Sequence, residues 1–339
     1  MHMSDALVSP AVGGAMIAVS VGAAAVSIYK TSKDELVDTK KIPMMGVMGA
    51  FVFASQMINF TIPGTGSSGH IGGGILLASV LGGYPAYLTI IAVLLIQALF
   101  FADGGLLALG CNVFNMGVIP CLIVYPLVFK LIMRKKRSNG YIIAASMLSC
   151  ILALQLGSFM VVLETLASGI TKLPFGSFAA LMQPIHLAIG AVEGVITSAV
   201  LIYVNKARPE LIDSAALDKK MDKSVSVKKI AAVLGVLAVL IGGGLSLAAS
   251  AFPDGLEWSI LGVTGEEELS ASGAVYDEAK NIQDSTAFMP DYSFKDSDSA
   301  AGTSTAGIVG GAIVMLVAAG VGGAIYLIKR RGKRSDEKA

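Results

Sequence analysis

The sequence is poor in charge, and that shortage decides its class. Of 339 residues only 14% are Asp, Glu, Lys or Arg, while 54% are hydrophobic. A soluble globular chain carries about 25% charged residues, which cover its surface. The mean hydropathy of +0.73 therefore assigns this chain to lipid rather than water. Net charge is +1, which offers no basic surface to a nucleic acid. Cysteine is also scarce. Cys111, Cys121 and Cys150 all lie in apolar stretches without CxxC spacing, so buried thiols are expected rather than a thiolate metal centre.

Two further absences matter. Gly64 and Gly69 have the glycine spacing of a phosphate-binding loop, but His70 and Ile71 stand where Lys and Ser or Thr are required. Nucleotide binding by this chain is rejected on that ground. No basic stretch precedes the first apolar run, and Asp5 occupies its place, so the N-terminus does not read as a secretory signal. Met1 is expected to be retained, because the residue after it, His2, is bulky.

What is present is a series of apolar runs. At about 20 residues per crossing they predict an all-α, multi-pass protein of the cell (inner) membrane with about nine transmembrane helices. The runs are Ala11–Tyr29, Ile42–Ile62, Ile71–Leu81, Tyr84–Phe101, Leu106–Phe129, Tyr141–Leu163, Phe178–Val204, Ile230–Ser250 and Ile308–Ile328. The third is short and bracketed by glycines, which suits a bent or tightly packed helix.

Basic residues mark every second connection. They include Lys30, Lys33, Lys40 and Lys41 after the first run, and Lys130 and Arg134 to Arg137 after the fifth. Others are Lys206, Arg208, Lys219, Lys220, Lys223, Lys228 and Lys229 after the seventh, and Lys329, Arg330, Arg331, Lys333 and Arg334 after the ninth. Between Ala251 and Thr305 the balance reverses, with 11 Asp or Glu against Lys280 and Lys295. Because basic loops stay in the cytoplasm, the N-terminus is predicted outside and the C-terminus inside. The same punctuation divides the chain into a seven-span unit, residues 1–204, a cytoplasmic linker, 205–229, and a two-span unit, 230–339, with a long outer loop. Dense small residues in the last run, Gly310, Gly311, Ala318, Gly322 and Gly323 among them, permit close helix packing.

The chain holds three histidines and no obvious catalytic set. His2 stands next to the terminal amine. The Met1 amine, the His2 main-chain nitrogen and the His2 imidazole can form fused chelate rings around one metal, an arrangement suited to square-planar Ni(II) or Cu(II). An ordinary frayed terminus is the plainer alternative. His70 follows a glycine-rich loop predicted on the same outer side, and its imidazole could supply a fourth nitrogen; a solvent-facing loop histidine is the competing reading. His186 and Glu193 lie seven residues apart in the seventh run, about two helical turns, so both can face one side. Packing, a proton relay and ligation stay open for that pair. Asp103 could orient a histidine or cap the following helix.

Several stretches resemble the substrate-capture subunits of energy-coupling-factor nickel and cobalt transporters, the NikM/CbiM type. They are Met1 to Pro10, which begins Met1-His2-Met3-Ser4-Asp5-Ala6, Asn59 to His70, Gln97 to Gly105, Gly110-Cys111-Asn112-Val113-Phe114-Asn115-Met116, and His186 to Thr197. Pro253-Asp254-Gly255-Leu256-Glu257 resembles the PDGLE motif of the nickel-type companion subunit, NikN, here fused; read alone it is a turn. The resemblance implies metal ligation by the Met1 amine, the His2 amide and imidazole, and His70. Asp103, Asn112, Asn115, His186 and Glu193 become candidates for supporting or pathway roles. It also implies a non-enzymatic subunit of an ABC-type importer, with Ni2+ or Co2+ as cargo and no nucleotide of its own. Its partners would be a transmembrane coupling subunit and two cytoplasmic ATPase subunits. A four-nitrogen plane favours nickel slightly, although cobalt for corrin synthesis is equally arguable. A proton-coupled secondary carrier and a membrane metal sensor are the rival readings.

Overall fold

The computed structural model describes residues 1–33, 41–136, 138–219, 226–295 and 299–336, with side chains through 330. Lys40, Arg137, Lys220 and Lys223 of the basic loops, and the side chains of Arg331, Lys333 and Arg334, lie outside the described residues.

Among the described residues, six helices are long and apolar enough to cross a membrane: Pro10–Lys33, Gly83–Phe100, Leu109–Lys135, Asn139–Ser168, Phe175–Ala207 and Ala300–Arg330. In chain order the elements begin with α1 (Pro10–Lys33) and α2 (Lys41–Gln56). Two short strands follow, β1 (Phe60–Ile62) and β2 (Ser67–Gly69), then α3 (Gly74–Leu81) and α4 (Gly83–Phe100). The third long crossing joins α5 (Leu109–Val113) and α6 (Lys130–Lys135) through a π-helical stretch, Phe114–Phe129, that carries Pro120 and Pro126. Each proline removes a backbone donor from the usual i→i−4 ladder, and the wider winding follows from that loss. Helices α7 (Asn139–Ser168) and α8 (Phe175–Ala207) form an antiparallel pair, and α9 (Pro209–Ala216), within the stretch expected as a linker, packs back on α3 and α8. The second unit contains α10 (Lys228–Gly243), α11 (Gly255–Thr264), α12 (Ala274–Thr286) and α13 (Ala300–Asp336).

Three of the expected spans are shorter than a full crossing. Helices α2 and α10 have 16 residues each and α3 has 8, whereas a hydrocarbon core of about 30 Å needs about 20. Helix α2 also stops at Gln56 instead of running to Ile62. The chain turns there into a hairpin, Phe60 opposite Gly69 and Ile62 opposite Ser67, because Pro63-Gly64-Thr65-Gly66 forms a turn with Gly64 and Gly66 at positive φ. Both hairpin edges are covered by the second unit: Ser250 N–H donates to Asn59 O at 2.7 Å, and Ser68 N–H to Pro253 O at 2.8 Å.

The second unit is built into the first. Helices α10 and α13 pack on α2, and their small residues set the separation. A Cβ on Gly310 would meet the rings of Phe53 and Phe101, and one on Gly307 would meet the backbone of Gly242. Large hydrophobics remain exposed mainly along the outer faces of α1, α7, α10 and α13, for example Val21, Leu148, Leu240 and Leu316. These faces belong against lipid. The three cysteines are buried and free.

Candidate functional site

The N-terminal segment is packed into the protein through Met1, Met3, Ala6, Leu7 and Val8 and is not a frayed tail. Met3, Leu7 and Val8 are buried, packed with Phe178, Met182, Leu256 and Ile260. Asn112 holds the segment in place: its Oδ1 accepts from Met3 N at 2.7 Å, and its Nδ2 donates to Met3 O at 3.1 Å. Gly105 N–H donates to the same carbonyl at 2.9 Å. Position 105 must be glycine, since a Cβ there would overlap Asp5. Asp5 Oδ1 in turn accepts from Ala108 N at 2.9 Å. Met1 and His2 are thus delivered into the bundle by main-chain contacts that begin at Met3.

There the two candidate imidazoles meet. The rings of His2 and His70 stack with centroids 5.1 Å apart and planes 16° from parallel. His70 Nδ1 lies 3.1 Å from Ile71 O, which leaves Nε2 facing the N-terminus. His2 Nδ1 lies 3.1 Å from Asp103 Oδ1, and its Nε2 is buried without a partner. Asp103 therefore faces a histidine and does not cap the following helix, whose N-cap is Ala108. Ala102, immediately before it, has φ 55°, a strained left-handed geometry for a non-glycine residue.

The second unit reaches the same place twice. Asp254 caps α11 with a full capping box: its Oδ1 accepts from Leu256 N at 2.7 Å and Glu257 N at 2.9 Å, while Glu257 Oε2 accepts from Asp254 N at 2.8 Å. That fixes one carboxylate oxygen and aims the other inward. Asp254 Oδ2 lies 2.6 Å from the Met1 amine and 4.0 Å from His70 Nε2. Farther along, Tyr292 stacks on Phe101, 4.9 Å between centroids, and donates its hydroxyl to Asp103 Oδ2 at 2.5 Å.

Burial sets the charge states. It pushes His2 down to about 3 and His70 to about 4, with the neighbouring amine adding to both. Both rings are neutral at pH 7, and metal ligation requires the neutral imidazole. Burial alone would raise Asp254, but the adjacent amine and the α11 N–H groups hold it well below the usual carboxylate range. Burial raises Asp103. Glu257, pushed up to about 7 by burial and then by Asp254, lies behind the cap.

A cavity of ≈ 10 Å³, about the room of one water molecule, borders Met1, His70, His186 and Asp254. A second of ≈ 10 Å³ continues inward past Met1, Asn115 and Glu193. His186 and Glu193 are both buried in α8 but do not bond each other. His186 Nδ1 lies 2.8 Å from Met182 O, and Glu193 accepts from Gly72 N at 2.8 Å and Gly73 N at 3.0 Å. Asn115 donates to Glu164 at 2.7 Å. Among the described residues no group of three or more His, Cys, Asp or Glu side chains could hold a metal ion. A metal bound beside His2 and His70 would need donors other than a third side chain of those types.

Met1, His2, His70, Asp103 and Asn112 come together; His186 borders the same cavity as Met1 and His70, and Asn115 and Glu193 line the second cavity. Sequence reasoning missed Asp254 and Tyr292. The spacing Asp254-x-x-Glu257 is a capping-box signal and could have placed Asp254 at a helix start, though not its second oxygen at the amine. Nothing in the sequence around Tyr292 points to Asp103.

Residues 2–211 match the CbiM family, described as a cobalt uptake substrate-specific transmembrane region, and residues 228–329 match the PDGLE domain. A protein of Archaeoglobus fulgidus named for fused nickel transport, NikMN, is 32% identical over 318 residues, spanning 93% of this chain and 96% of its own. The cobalt transport protein CbiM of Sorangium cellulosum is 30% identical over 50% of this chain and 76% of its own. A crystal structure of a transition metal transporter superposes with TM-score 0.54 at 28% identity, covering 65% of this chain and 100% of that one. The chain is a multi-pass membrane protein of the CbiM family of metal-uptake proteins, carrying a PDGLE domain in the same polypeptide.

Proposed function

We propose that this chain captures Ni(II) or Co(II), with nickel favoured, at the outer face of the cell membrane as the substrate-specific subunit of an energy-coupling-factor importer. The ligands are the Met1 amine, the His2 amide and imidazole, and the His70 imidazole. The observation that carries this reading is the stacking of His2 on His70 beside the Met1 amine. Three nitrogens from adjacent atoms of one chain end form a plane that suits Ni(II), and His70 supplies the fourth. Copper would bind such a plane more tightly still, so cargo choice depends on geometry and on which metal is available.

Asp103 orients His2 and Asn112 secures Met3, while Asn115, His186 and Glu193 line the inward side. The basic connections lie in the cytoplasm, with residues 1–204 as the capture unit, 205–229 as linker and 230–339 as companion. Uptake needs a transmembrane coupling subunit and two ATPase subunits, since the chain lacks a phosphate-binding loop of its own.

Metal content of the purified protein and radiometal accumulation in cells test the assignment. His2→Ala and His70→Ala are expected to express normally and to hold less than a tenth of the metal. Full loading of either variant would remove that histidine from the ligand set. Accumulation by the chain in cells without ATPase partners would instead indicate a secondary carrier.

A further inference from the structure

The PDGLE segment brings a carboxylate into direct contact with the terminal amine, and no role for that residue follows from the four-nitrogen reading. We propose that Asp254 is a positioning and charge-balancing residue of the capture site, holding the Met1 amine beside His70 and offsetting the positive charge of the divalent cation taken up there. The inference rests on the ligand set of the proposed function.

Three observations carry it. First, the two oxygens of Asp254 are divided in use. Oδ1 is taken by the main-chain N–H groups of Leu256 and Glu257, and Oδ2 alone faces inward, 2.6 Å from the amine and 4.0 Å from His70 Nε2. Capping explains the first oxygen and not the second. Second, the carboxylate cannot swing away. Oδ1 is pinned by the two N–H groups, Pro253 O accepts from Ser68 N, and Trp258 Nε1 donates to Thr65 O at 3.0 Å. The loop that carries His70 and the turn that carries Asp254 are thereby fastened together. Third, the charge count needs it. Two neutral imidazoles, a neutral amine and one amide anion leave a divalent cation with a net positive charge. Uncompensated charge in a buried site is costly, and the Asp254 side chain is 15% exposed.

The companion unit is then more than a neighbour of the capture unit, because the site is incomplete without its aspartate. Outer groups that orient and balance metal ligands commonly contribute about 10–100-fold in affinity.

The experiment uses the full chain, with Ni(II) alone as the probe. Asp254→Asn keeps an acceptor for the α11 N–H groups and removes the charge; Asp254→Ser does the same with a shorter side chain. Both are expected to weaken Ni(II) about 10–100-fold, while the visible absorption band of the bound metal at saturation stays where it is in the unmodified protein. Glu257→Ala breaks the other half of the capping box and leaves the Asp254 carboxylate, so its affinity should stay within about threefold of the unmodified protein, outside that range. Unchanged affinity in either Asp254 variant overturns the proposal. So does an equal loss in Glu257→Ala, which would make the role structural, and so does a shifted band, which would make Asp254 a ligand. If His70→Ala binds as tightly as the unmodified chain, the ligand reading itself fails. That outcome is separable from a failure confined to Asp254.

Discussion

Asn112 grips the backbone of Met3 on both sides, accepting from its N–H at 2.7 Å and donating to its carbonyl at 3.1 Å. One side chain thus stands in for a strand partner and fixes the two residues ahead of it. Asn112→Ala frees the Met3 N–H with no other acceptor assigned to it, whereas the carbonyl keeps its bond from Gly105. A buried unsatisfied donor costs about 1–3 kcal/mol. We expect a lower unfolding midpoint and a severe loss of bound metal, read by thermal melts and metal content. Full metal occupancy with the midpoint lowered would show that Asn112 serves stability alone.

Topology can be checked with single cysteines, because the three native thiols are buried and should stay silent to a membrane-impermeant reagent. Ser285 and Asn139 are both exposed. With acid-rich and basic connections on opposite sides, a cysteine at 285 should label from outside and one at 139 only after the membrane is opened. The reverse pattern would put the His2–His70 pair on the cytoplasmic side and remove the capture reading.

Placing an extra residue before Met1 tests the amine as a ligand. The amine sits 2.6 Å from Asp254 Oδ2, and the adjoining cavity of ≈ 10 Å³ has no room for another residue. The extension changes no spanning helix, so expression and membrane insertion should be normal while metal is lost. An addition after Ala339 should be tolerated. If the N-terminally extended protein binds metal with unchanged affinity, the amine is not a ligand.

How far the sequence alone could reach differs from element to element. Long apolar runs such as Asn139–Ser168 and Phe175–Ala207 were legible because composition alone distinguishes lipid from water. Positions 57–70 were not. An apolar stretch that ends in Pro63-Gly64-Thr65-Gly66 reads as a helix up to the turn, and only its pairing with Ser250 and Pro253 makes it a hairpin. The same holds at the site. His2 and His70 could be nominated because chelation depends on local spacing and residue type. Asp254 and Tyr292 act over more than 180 residues of separation, and only the packing of the second unit on the first brings them in. The His186–Glu193 spacing was legible as a shared helix side, yet each side chain is held by backbone groups and not by the other.

Tyr292 offers the last test, at a distance from every nominated ligand. Its hydroxyl donates to Asp103 Oδ2, and the other oxygen of Asp103 lies 3.1 Å from His2 Nδ1. Phe101, stacked on the Tyr292 ring, and Phe53, 6.2 Å from it, hold the ring in place. Tyr292→Phe keeps that stacking and deletes one hydrogen bond to a buried carboxylate. Without the hydroxyl, Asp103 is free to turn about its side-chain bond and the His2 ring loses its fixed orientation. Loss of such an orienting contact costs about 10-fold or more in metal affinity. Because the ring volume is kept, the thermal midpoint should change far less than in Tyr292→Ala, which also empties the aromatic cluster. We therefore expect Tyr292→Phe to melt near the unmodified protein and bind Ni(II) about tenfold more weakly. Asp103→Asn should show a loss of similar size, and the double variant little more than either alone, since both break one chain of contacts. Additive losses would mean that Tyr292 and Asp103 act on the metal separately.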